Sequence, residues 1–251
     1  MLKVDIENIS RKDGDKFVDV LTNVHFYILP GKVYTILGKN GSGKSTLIKS
    51  LTNLLNKNIF TVDGKVLFEN KDILCMNEQE LQSLRQNKIR FVLQDLTNNF
   101  DPLKKLKYYL DIIKTDEIKL NSLLKDFLLP DYKTISELFP YEISGGMAQR
   151  LSFLIAVSPN PKLLILDEPT SAIDYTNINL IKLKLDEHKS LGNSAIIVTQ
   201  DIQFAKEISD EIAFLSNKTL TEFKPKDTFF AETDSMYSNF LKVFGELKWK
   251  T

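Results

Sequence analysis

The stretch "GKNGSGKST" at residues 38–46 decides the fold of this chain. Its Gly38, Gly43, Lys44 and Ser45 satisfy the pattern G-x-x-x-x-G-K-[ST]. Glycines at these positions let backbone N–H groups curl around phosphate oxygens, and the lysine neutralises their charge. The stretch therefore predicts a phosphate-binding loop, and the alternative is an ordinary turn that happens to contain glycine and lysine.

The residues on either side of this loop favour phosphate binding over a plain turn. Upstream, "VYTIL" at residues 33–37 is a short β-branched and apolar run, typical of a buried strand. Downstream, residues 45–55 carry leucine and isoleucine at helical spacing. Strand, glycine loop and helix follow each other in the order that a phosphate site requires.

Composition excludes several classes of protein. The 251 residues contain 33 basic and 33 acidic side chains, so no overall positive charge favours nucleic-acid binding. One cysteine excludes an internal disulfide framework and a cysteine-rich metal site. No apolar run is long enough to cross a bilayer, and the amino terminus lacks the pattern of a signal peptide. We expect a soluble, intracellular protein that reaches a membrane only through a partner.

The pattern of apolar residues changes twice along the chain. Residues 1 to about 70 read mostly as strands, with turns predicted at Asp13-Gly14 and Asp63-Gly64. Residues 72 to about 160 show helical periods. Apolar runs then return at 162–168, 194–200 and 210–216, with a helical stretch near 175–190. Strands apolar on both faces that alternate with helices predict an α/β fold with a parallel sheet covered on both sides.

Carboxylates follow one of these apolar runs directly. In sheets of this type the ligand binds at the carboxyl ends of the strands, where Gly38, Asp167 and Gln200 all fall. Beside a phosphate loop, Asp167 is expected to order Mg²⁺ together with Ser45, and Glu168 to polarise the attacking water. The alternative is a solvated strand end.

A second glycine-containing motif, "ISGGMAQR", lies at residues 143–150. Ser144 is a good helix N-cap, and a helix is predicted over 147–157. The Ser-Gly-Gly start also resembles a second anion-binding nest. Two phosphate-binding devices with one set of carboxylates suggest that one device serves another subunit.

These motifs together resemble the ATP-binding subunit of an ABC transporter over nearly the whole chain. "GKNGSGKST" resembles its Walker A loop, "FVLQD" its Q-loop, "ISGGMAQR" its signature, "LLILDE" its Walker B strand and "SAID" its D-loop. The resemblance implies an α/β fold with a P-loop NTPase (RecA-like) core and a mostly parallel sheet, an N-terminal antiparallel β subdomain and an inserted α-helical subdomain. Within a single 1–251 domain it implies a β subdomain and nucleotide-binding core at 1–71 and 160–217, a Q-loop and helical signature subdomain at 72–159, and a short tail at 218–251.

The resemblance also implies a role for each matching residue, with ATP and Mg²⁺ as cofactors. Glu168 and Gln200 would be catalytic, and Mg²⁺ would be held by Ser45, Gln94 and Asp167. Asp174 would end the D-loop. The residues expected to bind nucleotide are Gly38, Lys39, Asn40, Gly41, Ser42, Gly43, Lys44, Ser45 and Thr46. The residues expected to face the ATP of a partner are Ser144, Gly145, Gly146 and Met147.

Local features are similar to the dipeptide, oligopeptide and nickel importers. They are "QDLTNNFDP" at 94–102 and "LFPYEISGGMAQR" at 138–150. The resemblance implies a second, different ATP-binding subunit, two transmembrane permease subunits and an extracytoplasmic solute-binding protein. The chain would lie on the cytoplasmic face of the membrane and bind no nucleic acid. Residues 95–102 are expected to contact a permease helix, with Phe100 as an exposed aromatic anchor.

Two departures from the family pattern leave alternatives open. Gln200 stands where most members carry histidine, and the loop near Asp13 offers no aromatic ring for adenine, unless Phe17 substitutes. One alternative function is a mainly structural ATP-binding partner whose mate does most of the hydrolysis; retained Glu168 argues against it and Gln200 for it. A soluble ATPase acting on DNA or ribosomes is the other, and the balanced charge argues against it.

Overall fold

A computed structural model describes residues 1–92, 100–170, 175–232, 237–238 and 240–242. Its strands are β1 (Leu2–Asp13), β2 (Lys16–Ile28), β3 (Val33–Leu37), β4 (Phe60–Phe68), β5 (Lys71–Asp72), β6 (Ile89–Val92), β7 (Leu163–Asp167), β8 (Ser194–Thr199), β9 (Glu211–Ser216), β10 (Thr219–Leu220) and β11 (Lys224–Pro225). Its α-helices are α1 (Lys44–Ser50), α2 (Glu78–Asn87), α3 (Lys107–Leu110), α4 (Glu117–Asp126), α5 (Tyr132–Ile135), α6 (Gly145–Val157), α7 (Tyr175–Ser190), α8 (Ile202–Ile208) and α9 (Lys226–Ala231). Short 3-10 helices cover Ile73–Cys75, Asp111–Ile113 and Pro140–Glu142.

The central sheet has the strand order β10-β9-β3-β8-β7-β6, with β11 also paired to β9. Strands β6, β7, β8, β3 and β9 run parallel, and the two short strands are antiparallel to β9. Every residue of β3, β7 and β8 is buried, as expected for parallel strands with helices on both faces. The prediction of a mostly parallel α/β sheet is confirmed.

The amino-terminal part forms an antiparallel sheet in the order β2-β1-β4-β5. The predicted turn at Asp63-Gly64 was wrong, because both residues lie inside β4 at a bulge opposite Ile6 and Asn8. Gly64 has φ +133°, and a Cβ there would lie 2.3 Å from the Asp5 carbonyl oxygen. A glycine inside a strand signals such a bulge as well as a turn, and the close approach of β1 selects the bulge.

A glutamate ties the antiparallel sheet to the central one. Glu69, directly after β4, accepts from Lys88, just before β6, at 2.5 Å and also pairs with Lys162, just before β7. Hydrogen bonds from Lys162 and Lys88 lower the pKa of Glu69 to about 2. The ion pairs lie at the amino ends of the parallel strands, away from the phosphate loop.

The helical region packs its own apolar cluster around α4, α6 and the face of the central sheet. Residues 72–159 also contain β6, which pairs in register with β7 and so belongs to the central sheet. Phe100 belongs to this cluster: it is 6% exposed, and its ring meets Tyr109 edge-on at 4.7 Å. The expectation that Phe100 is an exposed anchor was therefore wrong.

Part of the tail packs against the end of the central sheet. Phe229 stacks on Tyr237 with ring centroids 4.1 Å apart, and both join a cluster with Leu37 of β3 and Phe214 of β9. Across the residues that the structure describes, no helix is long and apolar enough to span a membrane.

Candidate nucleotide site

Three neighbouring strands deliver the predicted site residues to one edge of the sheet. Gly38 follows β3, Gln200 follows β8, and Asp167 ends β7 with Glu168 directly after it. Because β3, β8 and β7 are parallel neighbours, their carboxyl ends meet at this edge. The sequence-based expectation that these residues share one strand edge is confirmed.

The glycine loop wraps around the ammonium group of Lys44. This group donates to the carbonyl oxygens of Gly38 at 2.9 Å and Lys39 at 3.1 Å. Gly43, before α1, has φ +103°, and a Cβ there would lie 2.8 Å from Leu21 of β2. Only glycine fits this backbone turn. Lys44 is 5% exposed, so a buried positive charge lies at the centre of the loop.

Ser45 and Asp167 come together from different parts of the sequence. The Ser45 hydroxyl donates to Asp167 Oδ1 at 3.1 Å. Burial raises the pKa of Asp167, and the hydrogen bond from Ser45 lowers it by less; the neighbouring charge of Glu168 raises it further. The pair offers a hydroxyl and a carboxylate oxygen side by side at the strand edge.

Glu168 is held in an unusual backbone conformation. Its φ is +47°, a left-handed conformation that is uncommon outside glycine, and the residue is 7% exposed. Its Oε1 lies 3.1 Å from the Lys44 ammonium group, so the two buried charges form an ion pair. Its Oε2 accepts from the Thr199 hydroxyl at 3.0 Å and from the backbone N–H of Gln200 at 3.2 Å. The carboxylate therefore has partners at both oxygens.

Sequence reasoning missed Thr199 and Gln149. In the sequence, Thr199 is simply part of the apolar run at 194–200. A hydroxyl buried at the end of an apolar strand nevertheless needs a hydrogen-bond partner. Gln149 lies in α6, and its amide donates to the Pro169 carbonyl oxygen at 2.7 Å, one residue after Glu168. It is 5% exposed, and nothing in a one-dimensional pattern connects it to Pro169.

The signature residues lie at the start of α6. Ser144 caps this helix by accepting from the Met147 backbone N–H at 3.2 Å. Ser144 and Gly145 are exposed. Among the described residues, no hydrogen bond or ion pair joins 144–147 to the loop at 38–46. The helix start thus faces solvent, where another molecule can reach it.

The structure describes only some of the other predicted residues. Gln94 and Asp174 lie outside the described residues, as does the 95–99 part of the expected docking segment. Phe17 is 56% exposed on β2, opposite Lys12 in the β1–β2 hairpin. The same strand contacts the phosphate loop four residues further on, where Leu21 meets Gly43.

Comparison with known proteins finds a family and many relatives. The family model described as "ABC transporter" matches residues 21–171. The dipeptide transport ATP-binding protein DppD of Caldanaerobacter subterraneus is 33% identical over 207 residues, which cover 78% of this chain and 63% of that protein. The metal-staphylopine import system ATP-binding protein CntD of Staphylococcus aureus is 30% identical, covering 88% of this chain and 85% of CntD. The chain thus spans less than two thirds of the length of the first of these relatives.

Solved structures agree with the sequence relatives. A dimeric ATP-binding cassette in a post-hydrolysis state, bound to ADP and Pi, superimposes with a TM-score of 0.75 at 26% identity, covering 90% of this chain and 99% of that one. The cbiO1 protein of Clostridium perfringens, part of the ABC transporter complex cbiONQ, gives 0.71 at 26% identity, covering 99% and 96%. With the phosphate loop, the acidic strand end and the signature helix all in place, the chain belongs to the ABC transporter family.

Proposed function

We propose that the chain binds Mg-ATP and hydrolyses it to drive import through a membrane complex. The observation that carries this proposal is the convergence of Lys44, Ser45, Asp167 and Glu168 at one strand edge. The loop carbonyls hold Lys44 where its charge can face the β- and γ-phosphate oxygens.

The Ser45–Asp167 pair fits Mg²⁺. Magnesium in nucleotide sites prefers oxygen ligands and is bound by one or two carboxylates together with substrate phosphates. Two oxygens 3.1 Å apart, beside the phosphate loop, meet that requirement. Bound there, the ion would neutralise charge on the phosphates. Gln94 is proposed to add a third oxygen.

Glu168 is proposed to polarise the attacking water, and Gln200 to contact the γ-phosphate. Glu168 is buried and oriented by two hydrogen-bond donors and one ion pair, which suits a group that must hold one position. Gln200 can donate from its amide but cannot carry positive charge. Apart from Gln200 itself, neither the relatives nor the described residues favour the alternative of a degenerate, mainly structural subunit.

A test of ATP binding compares two lysine variants. Lys44→Ala removes the buried ammonium group, and Lys57→Ala removes an exposed one just beyond α1. We expect Lys44→Ala to lose Mg-ATP binding and turnover, measured by calorimetry and phosphate release, whereas Lys57→Ala matches the parent. Full ATP affinity in the Lys44→Ala variant would refute the loop assignment.

The transported solute is proposed from the relatives. DppD is named for dipeptide transport and CntD for metal-staphylopine import. We infer that this chain powers uptake of peptides or metal chelates, including nickel complexes. It would work with a second, different ATP-binding subunit, two permease subunits and a solute-binding protein, as a peripheral protein on the cytoplasmic face. The exposed Ser144 and Gly145 are available to bind the ATP of the second subunit.

The permease is proposed to dock beside β6 and at the start of the helical region. A cavity of about 260 Å³ is lined by residues that include Phe91, Ile155, Arg85 and Arg90. Leu103, just after the expected 95–102 segment, is 86% exposed and replaces Phe100 as the apolar anchor. An amphipathic helix with an acidic residue would complement this surface.

Co-purification from detergent-solubilised membranes tests the docking. The tagged parent chain should bring down polytopic membrane subunits, and Leu103→Ser should bring down less while ATP binding is unchanged. Leu191→Ser is the matched control, because Leu191 is also exposed but lies before β8, at the opposite edge of the sheet. Recovery of the parent chain without membrane subunits argues for a soluble ATPase. Equal recovery with both variants argues against this docking surface.

A further inference from the structure

Strand β8 ends in a buried hydroxyl. Its sequence "SAIIVT" is apolar from Ala195 to Val198, and the last residue, Thr199, is fully buried. Valine has nearly the same shape and would fill this position without a polar group. A buried hydroxyl is destabilising unless it is hydrogen-bonded, so the bonds that Thr199 makes account for its presence.

The direction of these bonds follows from donor and acceptor chemistry. The Thr199 oxygen lies 2.9 Å from the backbone N–H of Asp201, which can only donate. The hydroxyl therefore accepts there, and its single proton is left for Glu168 Oε2 at 3.0 Å. That oxygen belongs to a carboxylate, so this hydrogen bond is charge-assisted and stronger than a neutral one.

The same network fixes the backbone around Glu168. The Glu168 backbone N–H donates to the Val198 carbonyl oxygen at 2.9 Å, which holds it against the end of β8. Asp201 in turn caps α8 through the Phe204 N–H and accepts from the Thr170 hydroxyl at 3.2 Å. One side of the Thr199 hydroxyl is thus anchored at the end of β8, and the other at the start of α8.

We propose that Thr199 is a positioning residue for ATP hydrolysis: its hydroxyl fixes the orientation of the Glu168 carboxylate. This inference rests on the proposed function, in which Glu168 polarises the attacking water. Without the hydroxyl, Oε2 keeps one donor, the Gln200 backbone N–H, and Oε1 keeps its ion pair with Lys44. The carboxylate is then held less firmly about its last torsion, most of all when Lys44 turns to the phosphates. A misdirected base lowers the rate of the chemical step and leaves nucleotide binding intact.

The test uses the full chain purified with the subunits that assemble with it. Thr199→Val removes the hydroxyl at nearly constant volume, and Thr199→Ser keeps it. We expect kcat to fall about tenfold in Thr199→Val with KM and ATP affinity unchanged, and to recover to within about threefold of the parent in Thr199→Ser. Thr199→Ala, which also lacks the hydroxyl, decides the matter if the valine variant does not fold.

Thr35→Val is the control for a general packing defect. Thr35 is also fully buried in a central strand and accepts from the Ser209 hydroxyl at 2.6 Å. Among the described residues, no side-chain hydrogen bond joins it to the nucleotide site. The Thr35→Val variant should have a lower free energy of unfolding and the same kcat as the parent. An equal loss of kcat in Thr35→Val, or a Thr199→Ser variant as slow as Thr199→Val, overturns the inference.

Glu168→Gln separates the inference from the function on which it rests. If this variant loses turnover and Thr199→Val keeps the parent kcat, the positioning role of Thr199 is wrong and the role of Glu168 stands. If Glu168→Gln turns over ATP at the parent rate, the role of Glu168 is refuted and the inference is refuted with it.

Discussion

The ion pair between Glu168 and Lys44 leads to a prediction about Glu168→Gln that goes beyond lost activity. Both groups are buried, and their charged atoms are 3.1 Å apart. At an effective dielectric constant near 20, two unit charges at that distance attract by about 5 kcal/mol. Desolvation offsets much of this, and loss of one partner from a buried pair destabilises a protein by about 3–5 kcal/mol.

We expect Glu168→Gln to lower the free energy of unfolding by about 3 kcal/mol, at the low end of that range. Lys44 keeps the carbonyl oxygens of Gly38 and Lys39 as acceptors, so its charge is not left bare. The amide oxygen of the new side chain can still accept from Thr199 and Gln200, but its NH₂ group then faces the Lys44 ammonium group. We expect this loss in urea unfolding without nucleotide.

ATP should offset about half of this loss of stability. A γ-phosphate competes with Glu168 for Lys44, and in the variant that competition is gone. If this competition makes the parent's free energy of ATP binding less favourable by about 1.4 kcal/mol, the variant binds ATP about tenfold more tightly than the parent. Turnover should fall at least about 100-fold, because the amide cannot act as a base.

The assay pairs urea unfolding, with and without a non-hydrolysable ATP analogue and Mg²⁺, with titration calorimetry and phosphate release. Glu187→Gln, which removes one exposed negative charge from α7, is the matched control. The reasoning is refuted if Glu168→Gln has the parent's unfolding free energy and the parent's affinity for the analogue, since the ion pair would then contribute nothing.

Three further predictions concern the switch position, a bulge and an ion-pair bridge. Gln200→His should raise turnover up to about tenfold at this chain's own site, measured in the complex with the partner's site disabled; no acceleration counts against a role for charge there. Gly64→Ala should cost about 3 kcal/mol in urea unfolding, because the new Cβ meets the Asp5 carbonyl at 2.3 Å, whereas Gly14→Ala, with open space around it, should cost about 1 kcal/mol. Glu69→Gln should cost about 1 kcal/mol at pH 7. Because the pKa of Glu69 is lowered from 4.5 to about 2, its stabilisation is complete above pH 4.5 and is lost as the pH falls towards 2. A parent–variant difference that stays constant from pH 7 to pH 3 would contradict this.

Sequence patterns captured the features that depend on a continuous run of residues. Strand β3 was predicted with the bounds it has, and α7 was predicted at 175–190, where it lies. The loop at 38–46 and the acids after β7 were recognisable because phosphate chemistry demands particular residue types at fixed spacing.

The features that sequence patterns missed depend on contacts between distant segments. β6 is only four residues long, and it is recognisable as a strand only because it pairs with β7. Phe100 lies in a polar stretch, so its burial against Tyr109 depends on how the helical region folds back. Gly64 permits a turn or a bulge equally, and the approach of β1 decides between them. Thr199 shows its role only once Glu168 is beside it.

The hydrogen bond from Gln149 to the Pro169 carbonyl oxygen connects α6 to the loop that follows β7. One end of this helix is the exposed Ser144, which is proposed to reach the ATP of a second subunit. One turn further along the helix, Gln149 is hydrogen-bonded to the backbone next to Glu168. If α6 rotates so that its start approaches the nucleotide of another molecule, one of two things must follow. Either the loop that carries Glu168 moves with the helix, or the hydrogen bond from Gln149 to Pro169 breaks. We therefore expect binding of a second subunit at Ser144 to be transmitted through the first turn of α6 to the backbone beside Glu168.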